Sequence, residues 1–111
     1  VGEIANLMLD AGVVTLAAFI SPFSKDRSMV KEIVKAENYV EIFINTSLSE
    51  CERRDVKGLY AKSDQGGLSS LTGKDSSFEI PKDPWLVIDT ELDKKEESMT
   101  KLFDAVLVKI Q

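Results

Sequence analysis

Histidine is missing altogether from this 111-residue chain, cysteine occurs once, proline three times, and aromatic residues make up only 7%. Without His, no side chain titrates near neutrality unless its surroundings shift it. A Ser-His-Asp hydrolase is therefore excluded, and acid or base work falls to Asp, Glu, Lys or the lone thiol. Zinc binding by a Cys/His cluster fails for the same reason. The single Cys51 rules out an intramolecular disulfide framework and fits a reducing compartment, so the cytoplasm is the expected location. Cationic residues are the minority. Fourteen Lys and Arg face nineteen Asp and Glu, a formal charge of -5, which disfavours nucleic acid as a partner. A small phosphorylated ligand is still permitted, because a few placed cations suffice to bind it. Long hydrophobic runs are lacking too. The longest, Val13 to Ile20, covers about 8 residues and contains Thr15, against the roughly 20 needed to cross a bilayer. Val1-Gly2-Glu3-Ile4 carries neither an initiator Met nor a basic stretch, so it reads as neither a signal peptide nor a natural start, and a trimmed chain is expected.

What is present suits one small α/β domain: 43% of the residues are hydrophobic, enough for a core of modest size. Ile4, Leu7, Met8 and Ala11 recur at helical spacing before Gly12, predicting a helix over 2–11. Val13 to Phe19 is near-continuously apolar and partly β-branched, as in a central parallel strand covered on both faces. Ser21-Pro22 ends it in a turn. Ser24 is a plausible N-cap for a second helix with Met29, Val30, Ile33 and Val34 as its buried stripe, reaching about Ala36. Tyr39 to Asn45 reads as a second buried strand. Ser47-Leu48-Ser49-Glu50 is a capping-box pattern that starts a third helix running through Cys51 toward Arg54. From 55 to 84 glycine, serine and aspartate dominate, apolar periodicity fades, and a long loop is expected. Trp85 to Ile88 is a third strand candidate. Met99, Leu102, Phe103, Val106, Leu107 and Ile110 then mark the clearest amphipathic helix, with Lys94-Lys95-Glu96-Glu97 as a solvated face at its start. The alternation of elements predicts about three parallel strands with flanking helices.

Chemistry is expected at two places. A strand ending in Phe19-Ile20-Ser21-Pro22 puts backbone donors and a hydroxyl at the carboxyl edge of a parallel sheet, where open α/β folds bind ligands; an ordinary strand-ending turn would look the same. Arg53, Arg54 and Lys57 form a basic cluster in an acidic chain. Such cations stabilise phosphoryl transfer, and they equally suit a helix C-terminus through its dipole. Two patterns are rejected. Gly67 to Asp75 spaces its glycines wrongly for a phosphate loop and has Asp75 where Ser or Thr binds magnesium. Asp55-Val56-Lys57-Gly58 follows a helix rather than the strand a GTPase motif needs.

Phe19-Ile20-Ser21-Pro22-Phe23, Cys51-Glu52-Arg53-Arg54-Asp55-Val56-Lys57-Gly58-Leu59-Tyr60 and Leu71-Thr72-Gly73, in this order, resemble the C-terminal part of adenylylsulfate kinase. The resemblance implies a partial P-loop-kinase-like three-layer sandwich, a single incomplete domain over 1–111 with a lid at 55–84. It implies transfer of the ATP γ-phosphate to the 3'-hydroxyl of adenosine 5'-phosphosulfate. ATP and adenosine 5'-phosphosulfate are then the partners, and Mg2+ is expected to find its ligands outside this chain. Lys57 would be catalytic. Phe19, Ile20, Ser21, Pro22, Leu59, Leu71, Thr72 and Gly73 would bind the acceptor; Cys51, Arg54, Lys57 and Thr90 would bind ATP. The Ser21 corner and the Lys57 hinge would converge on one pocket.

The chain also departs from the family's pattern. It contains no Gly-x-x-x-x-Gly-Lys-Ser/Thr, and the family's Asp-Gly-Asp-Asn segment would likewise lie upstream of Val1. Leu71 stands where the family has Phe, Asp64 where a lid cation is usual, and Ser77 where Pro is favoured. The strand carrying the phosphate loop would insert between the Val13 and Tyr39 strands. The resemblance thus implies either a missing N-terminal segment or another partner, a homodimer included. The alternative is a catalytically inactive remnant acting as a nucleotide-binding or dimerising module. Another nucleotide kinase with a similar lid is a third option.

Overall fold

In the computed structural model, which describes residues 1–66 and 77–111, the chain forms helices α1 (Gly2–Asp10) and α2 (Ser24–Val34), strand β1 (Ile42–Asn45), helices α3 (Leu48–Arg54) and α4 (Leu59–Asp64), strand β2 (Leu86–Asp89) and helix α5 (Lys95–Ile110). Leu71, Thr72, Gly73 and the whole of the rejected Gly67 to Asp75 pattern lie outside the described residues. Strands β1 and β2 pair in parallel, with Ile42 opposite Leu86 and Ile44 opposite Ile88. This is the parallel arrangement that the alternation of elements predicts. Helix α5 packs on β2, and α1 packs on α2.

The stretch from Val13 to Phe19 departs from expectation. Residues 13–20 belong to no ladder among the described residues and are exposed throughout, with Leu16 at 83% and Ile20 at 65%. Their composition is that of a strand buried on both faces. A strand is a pairing, however, and no described segment lies alongside to take up its N–H and C=O groups. The sheet is consequently the pair β1–β2 rather than three strands.

Helix boundaries follow local chemistry. Helix α2 ends at Val34 rather than near Ala36 because Lys35 turns to φ 70°, after which a single 3-10 turn covers Ala36–Asn38. Asn38 returns its side-chain amide to the Val34 carbonyl at 3.0 Å, closing the helix end. Ser24 is not the N-cap of α2. Phe23 holds that position without a side-chain bond, and Ser24 lies in the first turn. The N-terminus of α3 is as predicted: the Ser47 hydroxyl accepts the Glu50 N–H at 3.2 Å. The segment read as a continuous loop carries α4, begun by Gly58 in the left-handed region at φ 66°.

Packing between α1 and α2 runs through the face of α1 that lacks its apolar stripe. Gly2 is buried there, and a Cβ on it would lie 3.1 Å from Ile33 Cδ1. Ile4, Leu7 and Met8 point outward instead. On α5, Leu102, Val106 and Leu107 are partly covered, whereas Met99 and Phe103 remain exposed. Among the described residues only Val34 and Ile88 are buried apolar side chains. The accessible surface is 8401 Å², against about 6,100 Å² for a compact folded chain of this mass. Much apolar surface that the sequence assigns to a core is therefore open.

Candidate functional site

The carboxyl ends of β1 and β2 are cross-linked residue by residue. Asn45 donates its side-chain amide to Asp89 at 3.4 Å, and the Thr46 and Thr90 hydroxyls approach to 2.5 Å. The Glu91 carboxylate accepts from both the Ser47 N–H and the Ser47 hydroxyl at 2.8 Å. Parallel strands end together here, so two chain turns leave the sheet side by side. A ligand at this edge meets both.

Helix α3 leans over that edge. Its last residue, Arg54, donates to Glu50 at 2.6 Å, to the Thr90 hydroxyl at 3.1 Å and to the Thr90 carbonyl at 2.8 Å. Arg54 and Thr90, both read from sequence as ATP-binding, are thus brought into direct contact. Beside them opens a cleft of about 430 Å³ lined by Arg54, Thr90, Asp93, Lys94, Lys95, Ser98 and Met99. The Ser98 hydroxyl is buried with no hydrogen-bond partner among the described residues. Sequence reading passed over Ser98 because a lone helical serine carries no signal. Cys51 sits one helical turn before Arg54 and is half-buried. It faces Tyr60 of α4; burial first, and then this thiol, push the Tyr60 phenol up from its ordinary value.

Glu50 organises the cations of α3. Arg53 grips it through two hydrogen bonds, at 2.8 and 2.6 Å, and Arg54 adds a third. The Arg53 hydrogen bonding, joined by Arg54 and by both positive charges, outweighs burial and holds the Glu50 carboxyl at about 2. A carboxyl lowered by folding stabilises the fold fully above its unfolded value near 4.5, and that stabilisation is lost as pH falls toward about 2. Acid titration of the denaturation midpoint from pH 6 to pH 3 is accordingly expected to fall more steeply for the wild type than for Glu50→Gln.

The hinge after α3 is tightly held. Asp55 adopts φ 28° and Gly58 φ 66°, and the Gly58 N–H donates to the Asp55 carbonyl at 2.9 Å. The Asp55 carboxylate caps α4 by accepting from Tyr60 N–H at 3.0 Å and Ala61 N–H at 3.1 Å. This agrees with rejecting the GTPase pattern at Asp55. Lys57 lies exposed within the turn, and Leu59 opens α4.

A second set of residues surrounds the Ser21-Pro22 corner. Ser21 has φ 43°, an uncommon value for a residue with a side chain. Arg27 donates to its carbonyl at 2.6 Å and to the Glu79 carbonyl at 2.7 Å. The Glu79 N–H donates to the Pro22 carbonyl at 2.8 Å, and the Glu79 carboxylate accepts from the Ser24 hydroxyl at 2.6 Å. Phe19 and Ile20 are exposed beside it. Neither Arg27 nor Glu79 was singled out from sequence, since a charged residue in a helix and one after a loop resemble any others. Among the described residues no side-chain hydrogen bond or ion pair joins this set to Arg54 and Thr90.

A family model described as adenylylsulphate kinase matches residues 1–89. The chain belongs to the adenylylsulphate kinase family. It is 44% identical to the adenylyl-sulfate kinase of Bacteroides thetaiotaomicron over 111 residues, which is 100% of this chain and 55% of the relative. Identity to the adenylyl-sulfate kinase of Pseudomonas entomophila is 46% over 109 residues, 98% of this chain and 52% of the relative. The chain spans about half the length of the curated relatives it matches. Among solved structures, the crystal structure of APE1195 superposes with a TM-score of 0.87 at 38% identity, covering 99% of this chain and 63% of that one. The Mycobacterium tuberculosis APS kinase CysC, solved in complex with AMPPNP and APS, gives a TM-score of 0.82 at 33% identity, covering 95% of this chain and 61% of that one. The fold is accordingly that of P-loop kinases, α/β with parallel strands and flanking helices. The family match ends at Asp89, so Thr90 and α5 lie just beyond it. Among the described residues no helix is long and apolar enough to cross a membrane.

Proposed function

We propose that this chain is the C-terminal part of an enzyme that moves the γ-phosphate of ATP onto the 3'-hydroxyl of adenosine 5'-phosphosulfate. The acceptor oxygen forms the new bond to phosphorus, the bond between the γ-phosphorus and the ADP oxygen breaks, and the hydroxyl proton is released. The products are 3'-phosphoadenosine 5'-phosphosulfate and ADP. The observation that carries this reading is the Arg54 bridge to Thr90 at the carboxyl edge of β1–β2, beside an open cleft. On this reading Cys51, Arg54 and Thr90 face ATP. Phe19 to Pro22 with Leu59, Leu71, Thr72 and Gly73 bind the acceptor. Lys57 is delivered to the transferring phosphoryl group by the lid that begins at Asp55. Its charge opposes the negative charge spread over the phosphoryl oxygens in the transition state.

The described residues do not by themselves form a carboxylate cage for magnesium. No group of three or more acidic or thiol side chains converges among them. The carboxylates at the sheet edge are already engaged, Asp89 by Asn45 and by the Glu91 and Leu92 N–H groups, Glu91 by Ser47, and Glu50 by arginines.

Two residues favour a second reading, an inactive remnant that binds nucleotides or dimerises: Leu71 stands where the family has Phe, and Asp64 where a lid cation is usual. Product analysis separates the two. The encoded protein that contains this chain, incubated with MgATP and adenosine 5'-phosphosulfate, is expected to form 3'-phosphorylated product, whereas residues 1–111 alone are expected to form none. Nucleotide binding by the encoded protein without any product would reject the kinase reading in favour of the remnant.

A further inference from the structure

We infer that Arg27 is a positioning residue that locks the Ser21-Pro22 corner to segment 77–80, so that the acceptor side of the site is set by α2 rather than by the loop alone. This rests on the kinase reading proposed above for its ligand and on geometry alone for the lock. Arg27 touches no reacting atom; it acts through the backbone it holds.

The guanidinium is engaged through all three of its nitrogens. Its side chain is only 10% exposed. One terminal nitrogen reaches the Ser21 carbonyl at 2.6 Å and the other the Glu79 carbonyl at 2.7 Å, while Nε lies 3.5 Å from Glu41. Its Cζ lies 5.8 Å from the centroid of the Phe78 ring, which stacks on Phe43 of β1 at 6.2 Å and 16°. Glu41 in turn accepts from the Tyr39 hydroxyl at 3.1 Å. Burial first, then the Glu41 charge and hydrogen bond, push Tyr39 up to about 12, so it remains a donor across the working pH range. A single planar fork therefore joins the corner, the returning segment and the start of β1.

Lysine cannot replace that fork. A point-like ammonium keeps the charge opposite Glu41 and the contact with Phe78, but it cannot bridge two carbonyls lying in different directions. The corner has reason to need both bonds. Ser21 holds a positive φ that a residue with a Cβ adopts only when its surroundings over-determine it. Glu79 adds a reciprocal tie through the hydrogen bonds from Ser24, which also lower its carboxyl below the ordinary range. Segment 77–80 and the corner are thereby one unit, and the acceptor contacts proposed for Phe19 to Pro22 inherit its position.

Amide exchange and ligand binding in the encoded protein test this with Arg27→Lys and Arg27→Met. Exchange of the Glu79 N–H, bonded to the Pro22 carbonyl, is expected to accelerate at least about tenfold in Arg27→Lys while β1–β2 ladder amides keep their protection. Calorimetric Kd for adenosine 5'-phosphosulfate is expected to weaken about tenfold, with that for ATP changing less than about twofold. Unchanged Glu79 exchange overturns the lock. Equal weakening for both nucleotides overturns the positioning role, since a general loss of structure has no preference between them. Should the wild type bind neither nucleotide, the kinase reading fails on that result, and Glu79 exchange still decides the lock. If Arg27→Met does not fold, Arg27→Lys carries both measurements.

Discussion

Replacing Lys57 by alanine is expected to lower the rate of 3'-phosphorylation by about 10²- to 10³-fold, the usual loss when one preorganised stabiliser of transition-state charge is removed. Its KM for ATP should move by less than about fivefold, because the cation is asked to act on charge that develops in transfer rather than on the bound ground state. The hinge makes this a clean substitution. The turn that holds Lys57 is fixed by its neighbours, through the Asp55 carboxylate on Tyr60 and Ala61 and the Gly58 N–H on the Asp55 carbonyl. The Lys57 side chain is exposed, so its removal should change stability by no more than about 0.5 kcal/mol. A rate loss cannot then be assigned to unfolding. Single-turnover product formation by the encoded protein is the measurement, with Lys57→Arg expected to recover part of the rate. An unchanged kcat in Lys57→Ala would remove Lys57 from the reaction and leave the lid as a cover only.

Local chemistry was the most legible part of the sequence. The Ser47 cap, the α3 helix ending in its arginines, strand β2 and the amphipathic α5 all follow from side chains within a few residues of one another. Helix α4 was missed because its starting signal is the backbone of Gly58 and the carboxylate of Asp55, not an apolar stripe. The Val13 to Phe19 strand failed differently. Apolar periodicity reports what a segment could bury and is silent about whether a partner lies beside it. The same limit explains α1, whose stripe of Ile4, Leu7 and Met8 is real in the sequence and uncovered in the fold.

The candidate site divides along the same line. Arg54 and Thr90 are 36 positions apart, and motif resemblance alone put them in one list; the structure joins them by two hydrogen bonds. Arg27 and Glu79 are 52 positions apart and neither is assigned a role from the sequence, yet a hydrogen bond of 2.7 Å joins them at the Ser21-Pro22 corner. Residues that touch a ligand tend to form readable motifs. Residues that hold those motifs in place act through backbone carbonyls, which any sequence supplies, and only coordinates reveal them.

The second large effect concerns Ile88, whose side chain is 2% exposed at the centre of β2, opposite Ile44. Ile88→Ala removes buried methyl and methylene groups and leaves a cavity between β2 and the helix packed on it, a change that costs about 2–5 kcal/mol in comparable cores. That is a large share of the roughly 5–15 kcal/mol that holds a typical domain together. In chemical denaturation the midpoint should fall markedly at an unchanged slope, while Val56→Ser, at a position 92% exposed, should leave it within about 0.5 kcal/mol. Function should follow stability here in one direction. The Thr90 N–H bonds the Asn45 carbonyl at 3.2 Å only while the two strands end in register, and Arg54 reaches Thr90 only from that position. A loosened β2 therefore predicts weaker ATP binding before global unfolding, detectable as a rise in Kd at denaturant concentrations where the far-ultraviolet signal is still native. A destabilisation below about 1 kcal/mol would mean that Ile88 is not the keystone of the strand pair, and the ATP side of the site would then owe its geometry to α3 alone.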